Sequence, residues 1–132
     1  MLDGQLIRFV TARRHPPYGH RTGLFQIAYA MRREEVLDGT VQEELRALLR
    51  WFEENLARPE RFTRSRYPRA QNTAVCWIRA GAHEHLRRLR QLAALLEAID
   101  IPIAELRTGR PGYVVYRDAA QVVALPFADT PR

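Results

Sequence analysis

The chain has 132 residues, 46% hydrophobic and 27% charged, a globular balance that excludes disordered and collagen-like proteins. No apolar run approaches the ~20 residues of a membrane helix, and residues 1–10 are too polar for a secretory signal. The single cysteine, Cys76, excludes an internal disulfide and fits a reducing compartment. We therefore expect one cytoplasmic domain covering residues 1–132.

The positive charge of the chain comes from one residue type. All 21 basic side chains are arginine, against 15 acidic residues, so the net charge is +6. Arginine pairs bidentately with phosphate and carboxylate groups, which suits a nucleic acid or an acidic protein as partner. A genome rich in G and C would give the same composition without any functional role, so both interpretations stay open. Three stretches stand out as locally basic: Arg8–Arg21, Arg58–Arg69 and Arg79–Arg90.

The first predicted elements are a strand, a polar loop and a helix. Residues 6–11 are rich in β-branched and aromatic side chains, which is typical of a strand. Residues 12–23 combine arginine, histidine, proline and glycine, which excludes a helix or a central strand. Thr22 is in position to cap the helix that follows, and Asp38-Gly39 breaks the chain after it. The apolar residues of this helix recur at helical spacing: Leu24, Ile27, Ala28 and Met31.

The second predicted helix has the clearest pattern in the sequence. Thr40 followed by Glu43 is typical of a capping box, and Pro59 ends the helix. Residues 58–72 then form a connecting loop that contains five arginines. The helix has a single apolar stripe: Val41, Leu45, Leu48, Leu49, Phe52 and Leu56.

The centre of the chain predicts a strand, a third helix and another strand. Residues 73–79 are apolar at consecutive positions, as expected for a strand covered on both faces. Gly81 opens a helix over residues 82–99, Pro102 stops it, and residues 103–108 are extended. The apolar face of this helix is formed by Leu86, Leu89, Leu92, Ala93, Leu96 and Ile99.

The C-terminal part predicts a hairpin. Residues 109–112 form a turn, and residues 113–118 and 121–125 pair across Ala119-Ala120. Pro126 ends the last strand or places it at an edge. The order β-α-α-β-α-β-β-β predicts an α+β fold with a single mixed β-sheet. It contains one βαβ unit, a C-terminal antiparallel meander of three strands, and three helices mainly on one face.

The loop between the first strand and the first helix carries the densest collection of side chains suited to binding. It ends at a helix N-terminus, where backbone N–H groups and the helix dipole favour an anion. It lacks the glycine spacing of known nucleotide-binding loops, so no cofactor is implied. The candidate ligands for an anionic partner lie in this loop and in the connecting loop: Arg13, Arg14, His15, Tyr18, His20, Arg21 and Thr22, with Arg64, Arg66 and Arg69 as a second set.

We therefore expect a non-catalytic binding module that engages a nucleic acid or an acidic protein through arginines. The alternative is a small enzyme acting on a phosphate-bearing substrate, with His20 as acid/base and with Arg14 and Arg21 stabilising the developing charge. His20-Arg21-Thr22 matches the His-x-Thr pattern of two-histidine phosphoesterases, but the sequence lacks the second copy that such enzymes need. A structural or oligomeric protein is a further alternative.

Three other patterns point to structure more than to chemistry. His83 and His85 lie two residues apart on a helix and point in different directions, so they cannot share a metal ion. Cys76 lies within an apolar strand, which predicts a buried structural thiol. Alternation along a strand places Tyr113 and Tyr116 on opposite faces, which argues against a base-stacking platform. We expect no metal site and no contact with a membrane.

Overall fold

The described part of the chain contains three helices and five strands. The computed structural model describes residues 5–13, 21–35, 37–58 and 74–132. In chain order the elements are β1 (Leu6–Thr11), α1 (Leu24–Glu34), α2 (Gly39–Asn55), β2 (Val75–Arg79), α3 (His83–Glu97), β3 (Ile103–Thr108), β4 (Tyr113–Arg117) and β5 (Gln121–Leu125). One sheet contains all five strands, so the predicted α+β class with a single sheet is confirmed. No helix in the described ranges is long and apolar enough to cross a membrane.

The strands follow the order β3-β1-β2-β5-β4, and each neighbouring pair is antiparallel. β2 and β3 flank α3 and run in the same direction, as predicted for the βαβ unit, but β1 lies between them. β4 and β5 form the predicted hairpin. β3 does not join them in a meander, because the crossover through α3 brings it to the free edge of β1. There it pairs along its whole length, from Leu6↔Thr108 to Thr11↔Ile103.

The sheet is strongly curled. In a flat sheet of five strands, the edge strands β3 and β4 would lie about 19 Å apart. Only residues 109–112 connect them, and this segment reaches at most about 17 Å. β3 also ends at the opposite end of the sheet from the start of β4, so the two edges must approach each other. The concave face encloses a small core to which both edges contribute: Leu6, Trp77 and Val122, with Val75, Leu106 and Val114 packed against them.

The three helices pack on the convex face, as predicted. Ile7, Phe9 and Ile78 of the sheet contact the apolar stripes of the helices. Trp77 and Ile78 are consecutive, face the two different cores and are both buried, so β2 is covered on both sides as its apolar run indicates. The buried hydrophobic residues of the helices are Leu24 and Ala28 of α1, Leu45, Leu48, Leu49 and Phe52 of α2, and Leu86, Leu89, Leu92, Ala93, Leu95 and Leu96 of α3.

The predicted N-terminal caps of the first two helices are wrong. Gly23, and not Thr22, is the N-cap of α1, and no side chain caps this helix. The N-cap of α2 is Asp38, whose Oδ1 accepts a hydrogen bond from Val41 N at 3.1 Å. Gly39 therefore opens the helix instead of breaking the chain before it. Thr40 already lies inside the first turn, where its hydroxyl cannot act as the cap.

A bulge in β4 changes which side chains share a face. The register with β5 shifts between Val114 and Tyr116, so Val115 is an extra residue without a partner on β5. The extra residue reverses the alternation, and Tyr113 and Tyr116 lie on the same face instead of on opposite faces. Tyr116 is tied down there, because its hydroxyl donates to Asp118 Oδ2 at 2.9 Å.

Candidate anion-binding site

The loop between β1 and α1 is closed at its base. Thr11 N donates to Thr22 O at 2.8 Å, and Thr22 N donates to Thr11 Oγ1 at 3.0 Å. Val10 and Gly23 form a single β-bridge beside this pair. The polar side chain of Thr11 is buried and bonded, so it fixes the place at which the loop leaves and rejoins the fold. The Thr22 N–H, which the sequence places near an anion, is used for this closure.

A gap opens between β1 and β2. The two strands pair only at Leu6↔Arg79 and Ile7↔Ile78. Farther along β1, Gly23 takes the place beside Val10 that a longer β2 would occupy. A cavity of about 170 Å³ lies in the gap, bounded by β1, β2, the first turn of α1 and Leu89 of α3.

The lining of this cavity is mostly apolar with one cation. Phe9, Phe25 and Val75 contribute apolar surface, and Arg8 brings a guanidinium group. Arg8 lies within the apolar run of β1 and is only partly exposed. Burial lowers the pKa of Arg8, and the charge of Arg132 lowers it further, although Cys76 acts in the opposite direction. The protein therefore holds this cation in an environment that disfavours its charge.

Two more arginines are connected with Arg8, Arg132 through its charge and Arg21 through a hydrogen bond to Arg132. Arg21 Nη1 donates to Arg132 O at 3.2 Å, and the charge of Arg132 acts on Arg8. Arg21 Nε is buried and has no hydrogen-bond partner among the described residues. Within the same ranges, no Asp or Glu side chain forms an ion pair with any of the three. We refer to Arg8, Arg21 and Arg132 as the junction arginines.

Seven of the other thirteen described arginines have acidic partners, and six do not: Arg13, Arg33, Arg50, Arg58, Arg79 and Arg117. The contacts with acids are on the exposed surface, where ion pairs contribute little to stability. The paired arginines lie on the helices, on β3 and in the turn that follows β3. The pairs are Arg32–Glu53, Arg46–Glu35, Arg87–Glu84, Arg88–Glu84, Arg90–Glu105, Arg107–Glu105 and Arg110–Asp129.

Cys76 lines the cavity and is half-buried. Burial is the main cause that raises the pKa of its thiol to about 12, and the charge of Asp118 adds to it. Its Sγ donates to Gln121 Oε1 at 3.0 Å. The thiol is therefore protonated near neutral pH, but Cys76 is half-buried and not fully buried as the sequence predicts.

The hydrogen bond of Cys76 leads into a polar network that the sequence did not reveal. Gln121 is 2% exposed, and its Nε2 donates to Ala57 O at 2.6 Å and to Asp118 Oδ2 at 3.2 Å. Burial alone raises the pKa of Asp118, but hydrogen bonds from Ala120, Gln121 and Tyr116 outweigh it and hold the pKa below its usual value. This network locks the β4–β5 turn to β2 and to the end of α2.

The structure describes only some of the predicted site residues. Arg13, Arg21 and Thr22 flank the closed base of the loop, where Arg13 is exposed and its carbonyl accepts from Thr11 Oγ1. Arg8 and Arg132 were missed; the available signal for Arg8 was a single charge inside an apolar strand. The other predicted residues lie outside the described ranges: Arg14, His15, Tyr18, His20, Arg64, Arg66 and Arg69.

The two described histidines both lie in the first turn of α3. His83 is exposed, whereas His85 Nε2 lies 2.8 Å from Asn55 O and its ring packs edge-on against Trp51. They diverge as the helical spacing predicts. Within the described ranges, no group of three or more potential ligands of the His, Cys, Asp and Glu types could hold a metal ion.

Comparisons with known proteins assign no role to this geometry. No protein-family model matches the chain, and no curated protein or solved structure shows significant similarity to it.

Proposed function

We propose that the chain is a cytoplasmic, non-catalytic binding module that engages an anionic partner, a nucleic acid or an acidic protein, through the junction arginines and Arg13. One observation carries the proposal: Arg8 lines the cavity only partly exposed to water, and no Asp or Glu side chain pairs with it in the described part of the chain. The exposed Arg132 acts on Arg8 through its charge, and Arg21 donates to Arg132 O. Holding an unpaired guanidinium group out of water costs free energy. A phosphate or carboxylate that binds it bidentately offsets that cost.

The enzyme alternative has less support. It depends on His20, which lies outside the described residues. At the cavity itself, the titratable group besides Arg8 is the Cys76 thiol, whose pKa of about 12 is far from the range useful for proton transfer near neutral pH. Binding without chemistry is therefore the function that we favour.

The test is a salt titration with two matched triple variants. Fluorescence anisotropy is measured with labelled single- and double-stranded DNA and RNA of about 20 nucleotides and with a polyglutamate peptide, from about 50 to 200 mM salt. Contacts with several phosphates predict a loss of affinity of about tenfold or more over this range. The R13A/R21A/R132A variant, called the junction variant, removes Arg13 and two of the junction arginines. The control variant R46A/R87A/R90A removes three charges that have acidic partners.

We expect the junction variant to bind about tenfold more weakly than the control variant, although both carry the same net charge. The probe that binds best, oligonucleotide or polyglutamate, identifies the partner class. Two results contradict the proposal: no binding of any probe at about 50 mM salt, or an equal loss in both triple variants, which would mean that only the net charge matters.

A further inference from the structure

Building on the proposed anion-binding role, we infer that the cavity between β1 and β2 takes a small carboxylate on an apolar body the size of one ring. The carboxylate lies against Arg8, and the ring lies between β1, β2 and the start of α1. The proposed function gives this cavity no ligand of its own, and the inference supplies one.

The size and lining of the cavity set the apolar part of the ligand. Its volume is about 170 Å³. Apolar cavities of about 150 Å³ are known to hold one benzene molecule. Phe9, Phe25 and Leu89 line the space, so an aromatic ring or a short alkyl chain finds apolar surface on several sides. A nucleotide base with its sugar exceeds this volume.

The charge at the cavity sets the polar part. Arg8 is the one cationic side chain of the described lining, and a single guanidinium fork matches a single carboxylate. A doubly charged phosphate would lose more hydration on entering an apolar space than one guanidinium returns. The first turn of α1 supports the choice of an anion, because no side chain caps it, no acidic residue lies in it, and Gly23, Leu24 and Phe25 line the cavity.

Gly23 gives a way to fill the cavity without disturbing the backbone. Its φ of −66° and ψ of 148° are ordinary for any residue. A Cβ added there would lie 3.5 Å from Arg8 Nη2, which is normal van der Waals contact. The G23A variant therefore folds, but its methyl group occupies space beside the guanidinium group that the carboxylate needs.

The experiment measures binding of benzoate to the whole chain by isothermal titration calorimetry. Benzyl alcohol has the ring without the charge, and acetate has the charge without the ring. R8M removes the guanidinium group, G23A reduces the space, and R117M is the matched control, since Arg117 is an exposed arginine of the same sheet. Thermal unfolding of each variant verifies that it is folded.

We expect benzoate to bind at least about tenfold more tightly than either comparison compound, because the charge-assisted bond and the buried ring both contribute. R8M and G23A weaken benzoate about tenfold or more, and R117M changes it less than about twofold. If R8M does not fold, G23A carries the test. Equal affinity for benzoate and benzyl alcohol, no effect of G23A, or no benzoate binding at about 10 mM overturns the inference.

A peptide with a free C-terminal phenylalanine and its C-terminal amide separate two sources of the same chemistry. Selective binding of the free acid supports a protein terminus as the natural ligand, and binding of benzoate without the peptide supports a free small acid. The two proposals also fail separately. If the anisotropy probes bind but benzoate does not, the cavity assignment is wrong and the anion-binding role remains; if neither binds, both are wrong.

Discussion

The two flanks of β2 are built differently. On the β5 side, four residue pairs form from Val75↔Ala124 to Ile78↔Gln121, and the side chains of Gln121 and Asp118 are fully engaged. On the β1 side, only two residue pairs form before the cavity begins. On the first flank, Gln121 and Asp118 form hydrogen bonds within the protein, although the buried Trp77 Nε1 has no partner among the described residues. The second flank holds a guanidinium group for which the described residues provide no acid. We therefore expect the proposed anion binding to act on the β1 flank, and substitutions on the β5 flank to cost more stability.

We expect the largest loss of stability from G112A, a substitution in the turn that leads into β4. Gly112 has a φ of 128°, and a Cβ there would collide with the backbone carbonyl of Leu125. G112A therefore displaces the start of the β4–β5 ladder, and we expect it to lower the free energy of unfolding by about 3 kcal/mol or more. Urea denaturation followed by circular dichroism measures the change.

Gly109 is the internal control for this turn. A Cβ at Gly109 meets no atom within 4 Å, and its φ lies outside the left-handed region. G109A should change the free energy of unfolding by less than about 0.5 kcal/mol. Similar losses in G109A and G112A would show that the close approach to Leu125 is not what limits the turn.

A smaller effect is expected from opening the buried network at Gln121. Q121M keeps the length of the side chain but leaves Ala57 O without its donor and Cys76 Sγ without its acceptor. Leaving buried polar groups unsatisfied costs about 1–3 kcal/mol, so we expect a loss of about 2 kcal/mol in urea denaturation. Q91M on the exposed face of α3 should be nearly neutral. A neutral Q121M would mean that the β5 flank does not depend on this network.

The sequence was informative where the signal was local. The apolar stripe from Val41 to Leu56 and the consecutive apolar residues of β2 correctly predicted a one-sided helix and a strand covered on both faces. The neighbours of β1 depend on contacts between distant residues, such as Leu6 with Thr108, and no local pattern encodes them. The bulge at Val115 has no local signal either, so strict alternation gave the wrong face for Tyr116.

The candidate site was predictable only in part, for a similar reason. The loop between β1 and α1 indicated anion binding through its arginines, of which Arg13 and Arg21 lie at its base. Arg8 is a single charge within an apolar strand, and nothing in the sequence places the gap in the sheet beside it. The gap exists because Gly23 returns to pair with Val10, which is a property of the folded loop.

We expect the smallest changes in the free energy of unfolding from R79M and R8M. These two matched substitutions compare the β5 flank with the β1 flank directly. Arg79 Nε donates to Asp118 O at 2.7 Å, so R79M removes a charge-assisted bond from the β5 flank and should cost about 1.5 kcal/mol. R8M removes a partly buried cation that has no acid partner in the described ranges, and the methionine retains an apolar side chain at the cavity. Relief of desolvation offsets the lost packing, so we expect R8M to be neutral or stabilising by up to about 1 kcal/mol.

Both free energies of unfolding are measured in urea at the same pH and salt. A loss in R8M as large as that in R79M would assign Arg8 to the scaffold, whereas a stable R8M that no longer binds benzoate would separate the binding flank from the stabilising one.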